Sequence, residues 1–158
     1  MPTRILIVED DQHKMDRLRE ACKVARPSAE IVEATSFNRG LKAVRSERYD
    51  LVLLDMSLRT FDPAFDGDEE EPQPFGGREV ISYMKQIGNT SPILVVTQYE
   101  QLGSGSESMT VDELADELSK DHPDLFMGLV FFDGTSNKWQ HELITALSQV
   151  TGGVGRES

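Results

Sequence analysis

Basic residues are scarce in this chain: 16 Lys and Arg stand against 28 Asp and Glu over 158 residues, a formal charge of −12. Counterion release and phosphate contacts need clustered cations, so nucleic acid and anionic membrane surfaces are excluded as main partners. Long apolar runs are missing too. ILIV at 5–8 and LVLL at 51–54 fall far short of the roughly 20 residues that a spanning helix needs. The N-terminal MPTRILIVEDD turns acidic before a signal-peptide core could form. The single cysteine, Cys22, excludes an internal disulfide, and the cytoplasm is the expected location. What is present is a chain that is 38% hydrophobic and long enough for one domain with its own core.

Short runs rich in Val, Ile and Leu at Arg4–Val8, Glu30–Ala34, Asp50–Leu54, Ile93–Thr97 and Met127–Phe132 alternate with helical patterns. That alternation is the mark of a parallel sheet covered on both faces by crossover helices. Met15, Leu18, Cys22 and Ala25 repeat at helical spacing until Pro27 stops them. Ser36 is a candidate N-cap before Phe37, Leu41 and Val44, and Val80, Ile81, Met84 and Ile87 follow the Gly76-Gly77 pair. Thr110 and Glu113 form a capping-box pattern ahead of Leu114 and Leu118. The last stripe holds Trp139, Leu143, Ala146, Leu147 and Val150. The predicted fold is α/β: a single doubly wound five-stranded parallel sheet of order 2-1-3-4-5, flanked by five helices, in the flavodoxin-like manner.

One domain over 1–150 is expected, with insertions at about 59–76 and 99–108 and a flexible Gly-rich tail at 151–158. The first insertion holds six acids and three prolines and reads as a solvated loop. The second is Gly/Ser-rich. Both follow strand ends at the carboxyl edge of the sheet, where the crevice of such a fold lies.

The chemistry concentrates at those ends. Glu9, Asp10 and Asp11 directly follow ILIV, and Asp55 directly follows LVLL. Strands one and three are neighbours in the predicted order, so these acids converge. Two carboxylates about 5 Å apart repel by roughly 3 kcal/mol at an effective dielectric near 20, which favours a bound cation. Mg²⁺ suits oxygen ligands and typically joins one or two carboxylates to a substrate phosphate. Cys22 lies on an apolar stripe and reads as a buried structural thiol. The three histidines show no ligand spacing, and GSGS lacks the rest of a phosphate-binding loop.

ILIVEDD, LVLLDMSL, GGREVISYMK and PILVVT, in that order, resemble the receiver domain of bacterial two-component response regulators, from about Arg4 to Val150. The resemblance implies that Glu9 and Asp10 hold Mg²⁺ with Asp55 and the backbone carbonyl of Ser57. It implies that Asp55 accepts phosphate from a histidine kinase or phosphotransfer protein. Thr97 matches the hydroxyl residue that contacts the phosphoryl group and switches, and Asp11 falls outside the metal shell. The implied protein is no enzyme beyond Mg²⁺-dependent self-phosphorylation and autodephosphorylation. It would signal as a stand-alone receiver through contacts with a downstream protein, and a homodimer is one form such receivers take.

The chain also departs from that family. Phe132 stands where receivers place a lysine at the end of strand five, Leu129 where they place an aromatic switch residue, and Gln98 where a small residue follows the threonine. Lys138 is the nearest basic substitute in sequence. These departures support an alternative, a pseudo-receiver that binds partners without phosphate. A third reading, an aspartyl-phosphate hydrolase of the haloacid dehalogenase type, lacks the second acid at Ser57.

Overall fold

The computed structural model describes residues 2–59, 72–73, 76–103 and 105–150. The acidic run 66–71, most of the first insertion and the tail from 151 lie outside the described residues. The main strands are β1 (Arg4–Val8), β2 (Glu30–Ala34), β3 (Leu51–Leu54), β6 (Ile93–Thr97) and β9 (Phe126–Phe131). They form one sheet of order β2-β1-β3-β6-β9 with parallel pairing throughout. Among the described residues five α-helices accompany it: α1 (Gln12–Ala25), α2 (Phe37–Ser46), α3 (Gly76–Ile87), α4 (Val111–Asp121) and α5 (Lys138–Ser148). The predicted fold class and strand order are those observed. β3 starts one residue later than expected, and β9 is shifted one residue toward the N-terminus.

The sheet is sandwiched because its strands are apolar on both faces. Ile5, Ile7, Leu51 and Leu53 join Met15, Leu18 and Cys22 of α1 and Trp139, Leu143 and Leu147 of α5 in one core. Their alternates Leu6, Val8, Val52 and Leu54 join Val44 of α2, Val80, Ile81 and Met84 of α3, and Leu114 and Leu118 of α4 in the other. Each such side chain contributes roughly 1.5–3 kcal/mol by burial. The predicted stripes are the packed faces except at Ile87, which ends α3 exposed because the last turn runs past the edge of the core. Burial pushes the Cys22 thiol up to about 12, which suits a structural role.

Caps set the helix starts. Asp11 caps α1 by accepting the His13 N–H, Ser36 caps α2 through the Arg39 N–H, and Thr110 and Glu113 close a full capping box on α4. At the far end of α1, the Arg26 guanidinium donates to Leu147 O at 2.7 Å and Val150 O at 3.3 Å. That contact ties α1 to the carbonyl end of α5, where a cation is favoured.

Both loop insertions begin with short antiparallel ladders. β4 (Leu58–Arg59) pairs with β5 (Pro72–Gln73), and β7 (Gln101–Leu102) pairs with β8 (Met109–Thr110). Between β6 and β9 the register slips, Ile93 facing Phe126 and Leu94 facing Gly128, and Gly128 has φ +155°. Glycine is the residue that such a bulge accepts without strain.

Gly77 fixes how closely α3 approaches the end of β3. Its N–H donates to Met56 O at 2.9 Å. A Cβ placed there would lie 2.3 Å from Asp55 O and 2.9 Å from Met56 Cα. Backbone cannot yield as a flexible side chain would. Gly77→Ala is therefore expected to destabilise the fold by about 1–3 kcal/mol in urea unfolding, despite alanine's better helix propensity. Gly134→Ala, where an added Cβ meets nothing within 4 Å, should change stability by less than about 0.5 kcal/mol.

Candidate functional site

Past the last ladder residues of β1 and β3, the backbone keeps its pairing for one more step. The Asp55 N–H donates to Val8 O at 3.1 Å, and the Glu9 N–H donates to Ala34 O at 3.0 Å. This places the two acids side by side at the carboxyl edge. Carboxylate oxygens of Glu9, Asp10 and Asp55 all lie within 4.8 Å of one another. Glu9 is 1% exposed and Asp55 2%, while Asp10 is half-buried. Glu9 Oε2 accepts the Asp11 N–H at 3.1 Å. Asp11 itself is exposed and engaged in capping α1, and it is not part of the cluster.

Thr97 ends β6 and is fully buried, with Oγ1 accepting the Tyr99 N–H at 3.3 Å. Ser57 is half-buried two residues beyond Asp55. Lys138, the base nominated from sequence, is exposed at the start of α5.

The cation in the cluster is a different residue. Lys14, in the first turn of α1, is 1% exposed. Its Nζ lies 2.7 Å from Glu9 Oε1 and 3.5 Å from Asp55 Oδ2. It donates to Val96 O at 2.9 Å and to Gln98 Oε1 at 2.7 Å. Gln98 is thus an acceptor for the ammonium, which gives that departure from the family pattern a structural reason. Phe132, 9% exposed, offers its ring 5.8 Å below Nζ and packs on Trp139 with centroids 4.7 Å apart. A cation over an aromatic face is favoured by the ring quadrupole. Leu129 is half-buried and packs against the core shared with α3 and α4.

A signal for Lys14 was present in the sequence. It lies one turn before Leu18 on the inward stripe of α1, where a lysine buried among apolar neighbours needs an acidic partner. The acids five residues earlier supply it.

Lys14 pairs with Glu9 and Asp55, and Asp10 adds a third carboxyl group to the same pocket. Burial foremost, then the neighbouring Asp55 charge, pushes the Glu9 carboxyl up from the ordinary range, with Lys14 and the Asp11 amide pulling it back. Burial likewise raises Asp55, with Asp10 adding to the rise and Lys14 and the amides of Ser57 and Met56 opposing it. Asp55 Oδ1 is buried without a hydrogen-bond partner. An orphaned carboxylate oxygen beside two further acids fits a hard divalent cation.

Residues 5–125 match the family model of the response regulator receiver domain. The chain is 31% identical over 149 residues to the Detocs response regulatory protein DtcB of Enterobacter cloacae (strain JD6301), covering 93% of this chain and 99% of that protein. It is 26% identical over 146 residues to the protein of the same name from Vibrio alginolyticus, covering 90% and 98%. Among solved structures, the CheY-like response regulator receiver domain protein of Methanospirillum hungatei JF-1 superposes with a TM-score of 0.62 at 17% identity, covering 94% of this chain and 93% of that one.

Raised carboxyl groups give the pocket a measurable pH signature. In chelator, the folded protein keeps protons on Glu9 and Asp55 that the unfolded chain releases above about 4.5. Stability should therefore fall as pH rises from the carboxylate range toward neutrality. Glu9→Gln should flatten that slope in thermal melts recorded between those limits.

Proposed function

Since the chain belongs to the response regulator receiver domain family, we propose that it takes a phosphoryl group onto Asp55 from a histidine kinase or phosphotransfer protein, and signals by changing its contacts with a downstream protein. The observation that carries this reading is the convergence of Glu9, Asp10 and Asp55 at one strand edge, with Asp55 Oδ1 left unpartnered.

Asp55 supplies the nucleophilic oxygen. As its bond to phosphorus forms, the phosphorus–nitrogen bond of phosphohistidine breaks, and the electron pair leaves with the imidazole nitrogen. Glu9, Asp10, Asp55 and the Ser57 carbonyl would hold Mg²⁺, which when bound neutralises charge on the transferring group. Thr97 Oγ1 accepts from Tyr99, so its own proton can donate to a phosphoryl oxygen and draw the segment after β6 inward. Val8, Leu54 and Val96 keep the floor of the site dry, which strengthens every charge interaction above them. Among the described residues no helix is long and apolar enough to cross a membrane, in keeping with action through protein contacts.

The strongest support for a phosphate-independent module was the lack of a lysine on strand five. A buried ammonium beside Asp55 removes most of that support.

Incubation with Mg²⁺ and acetyl phosphate, followed by intact mass measurement, should show one added phosphoryl group on the wild type and none on Asp55→Asn. Wild type that stays unmodified across donor and metal concentrations would reject the proposal. Separately, Mg²⁺ at 100 times its Kd should stabilise the wild type by about 2.7 kcal/mol in thermal unfolding, and this gain should be lost at the same concentration in Asp10→Asn.

A further inference from the structure

We propose that Lys14 of α1 is the cation that contacts the phosphoryl group on Asp55, and that it couples that group to both sides of Thr97. This inference rests on phosphorylation of Asp55, the reading given above, and deepens it.

Position comes first. Lys14 Nζ is already 3.5 Å from Asp55 Oδ2, in a pocket where both side chains are 1% exposed. A phosphoryl group added to Asp55 extends outward with more negative charge than the carboxylate carried. An ammonium one contact away, already stripped of water, needs only a small movement of its flexible stem to reach a phosphoryl oxygen. Lys138 is exposed, and among the described residues no structural contact joins it to the cluster.

The second element is the hold on Lys14. An ammonium has three N–H donors. Two go to Val96 O and Gln98 Oε1, the residues immediately before and after Thr97, and the third faces Glu9 and Asp55. Any shift of Nζ toward a phosphoryl group therefore pulls on, or releases, the segment that carries the Thr97 hydroxyl. Phe132 completes the hold from below, with its ring 5.8 Å from Nζ. A lysine at position 132 would meet the same pocket from the strand side.

A rival use of the same geometry makes Lys14 a substitute for the divalent ion, because it neutralises Glu9 and Asp55 itself. The orphaned Asp55 Oδ1 and the neighbouring Asp10 favour a phosphoryl contact instead, since they leave oxygen donors for a metal after Lys14 is accommodated.

The test compares wild type, Lys14→Gln, Lys14→Met and the double variant Lys14→Met/Phe132→Lys. Labelling rate with Mg²⁺ and acetyl phosphate is read by mass, Mg²⁺ affinity by Trp139 fluorescence, and folding by circular dichroism and urea unfolding. Lys14→Gln and Lys14→Met should label at least tenfold more slowly, with Mg²⁺ affinity within about threefold of wild type. The double variant should recover a substantial part of the lost rate, a rescue that a purely structural lysine could not give. Labelling of both single variants at the wild-type rate overturns the role of Lys14 while leaving Asp55 as acceptor. Much tighter Mg²⁺ binding with faster labelling in Lys14→Met overturns it in favour of metal replacement. Wild type that is never labelled removes the acceptor reading and this one with it. Single variants that fail to fold, joined to a folded double variant without recovered labelling, also count against the proposal.

Discussion

A buried ammonium among buried carboxylates is the constraint on which the rest of the site depends. Taking one such ion out of water costs several kcal/mol even after relaxation, and the cost is offset only when every donor finds an acceptor. Lys14 meets that condition with Val96 O, Gln98 Oε1 and the acid pair. The consequence is rigidity of register: α1 must present position 14 to the sheet edge, β6 must end with a carbonyl facing inward, and Gln98 must turn its oxygen toward the cluster. None of these is a local preference of its own element. Each is set by the charge in the middle.

The sheet and helices were legible in the sequence because their signals are periodic and redundant. Runs such as ILIV and LVLL bury every residue, and the Met15–Leu18–Cys22 stripe repeats over several turns, so one misread position changes little. Capping at Ser36 and Thr110 rests on contacts within four residues, which sequence displays directly, whereas the Asp11 cap of α1 was not read from it. The paired ladders β4–β5 and β7–β8 were not legible, since two-residue strands carry no periodicity and depend on ends that meet across a long insertion. The acidic members of the site could be read off the strand ends. Its cation could not be found by looking along strand five, because a side chain as long as lysine can reach the same point from a neighbouring helix.

Phe132 and Gln98 show how such a relocation is supported. A lysine missing from β9 leaves space and a negative field at the sheet edge. An aromatic ring fills the space without adding charge, and an amide oxygen supplies the acceptor that a small residue would lack. Arg17, one turn further along α1, lies 5.5 Å over Trp139 and 6.0 Å over Phe132, so the Phe132 ring faces two cations of α1. The three departures from the family pattern are therefore not equivalent. Phe132 and Gln98 belong to one compensated arrangement around Lys14, whereas Leu129 belongs to the opposite core.

Where the cation is anchored decides which part of the molecule feels a change at Asp55. A lysine on β9 would transmit force along the edge strand toward the face that Leu129 occupies. A lysine on α1 would transmit it to a helix that shares its core with α5 and is bolted to the end of α5 through Arg26. Leu129 has no ring to rotate behind Thr97, so an edge-strand route would be weakened on this chain, while Phe132 and Gln98 hold the cation of α1 in place. A charge added at Asp55 would then be read through Lys14 into the Val96–Gln98 segment on one side and the α1–α5 pair on the other. On the proposed phosphorylation of Asp55, the surface of α1 and α5 would thereby be as direct an outlet for the signal as the loops that follow β6.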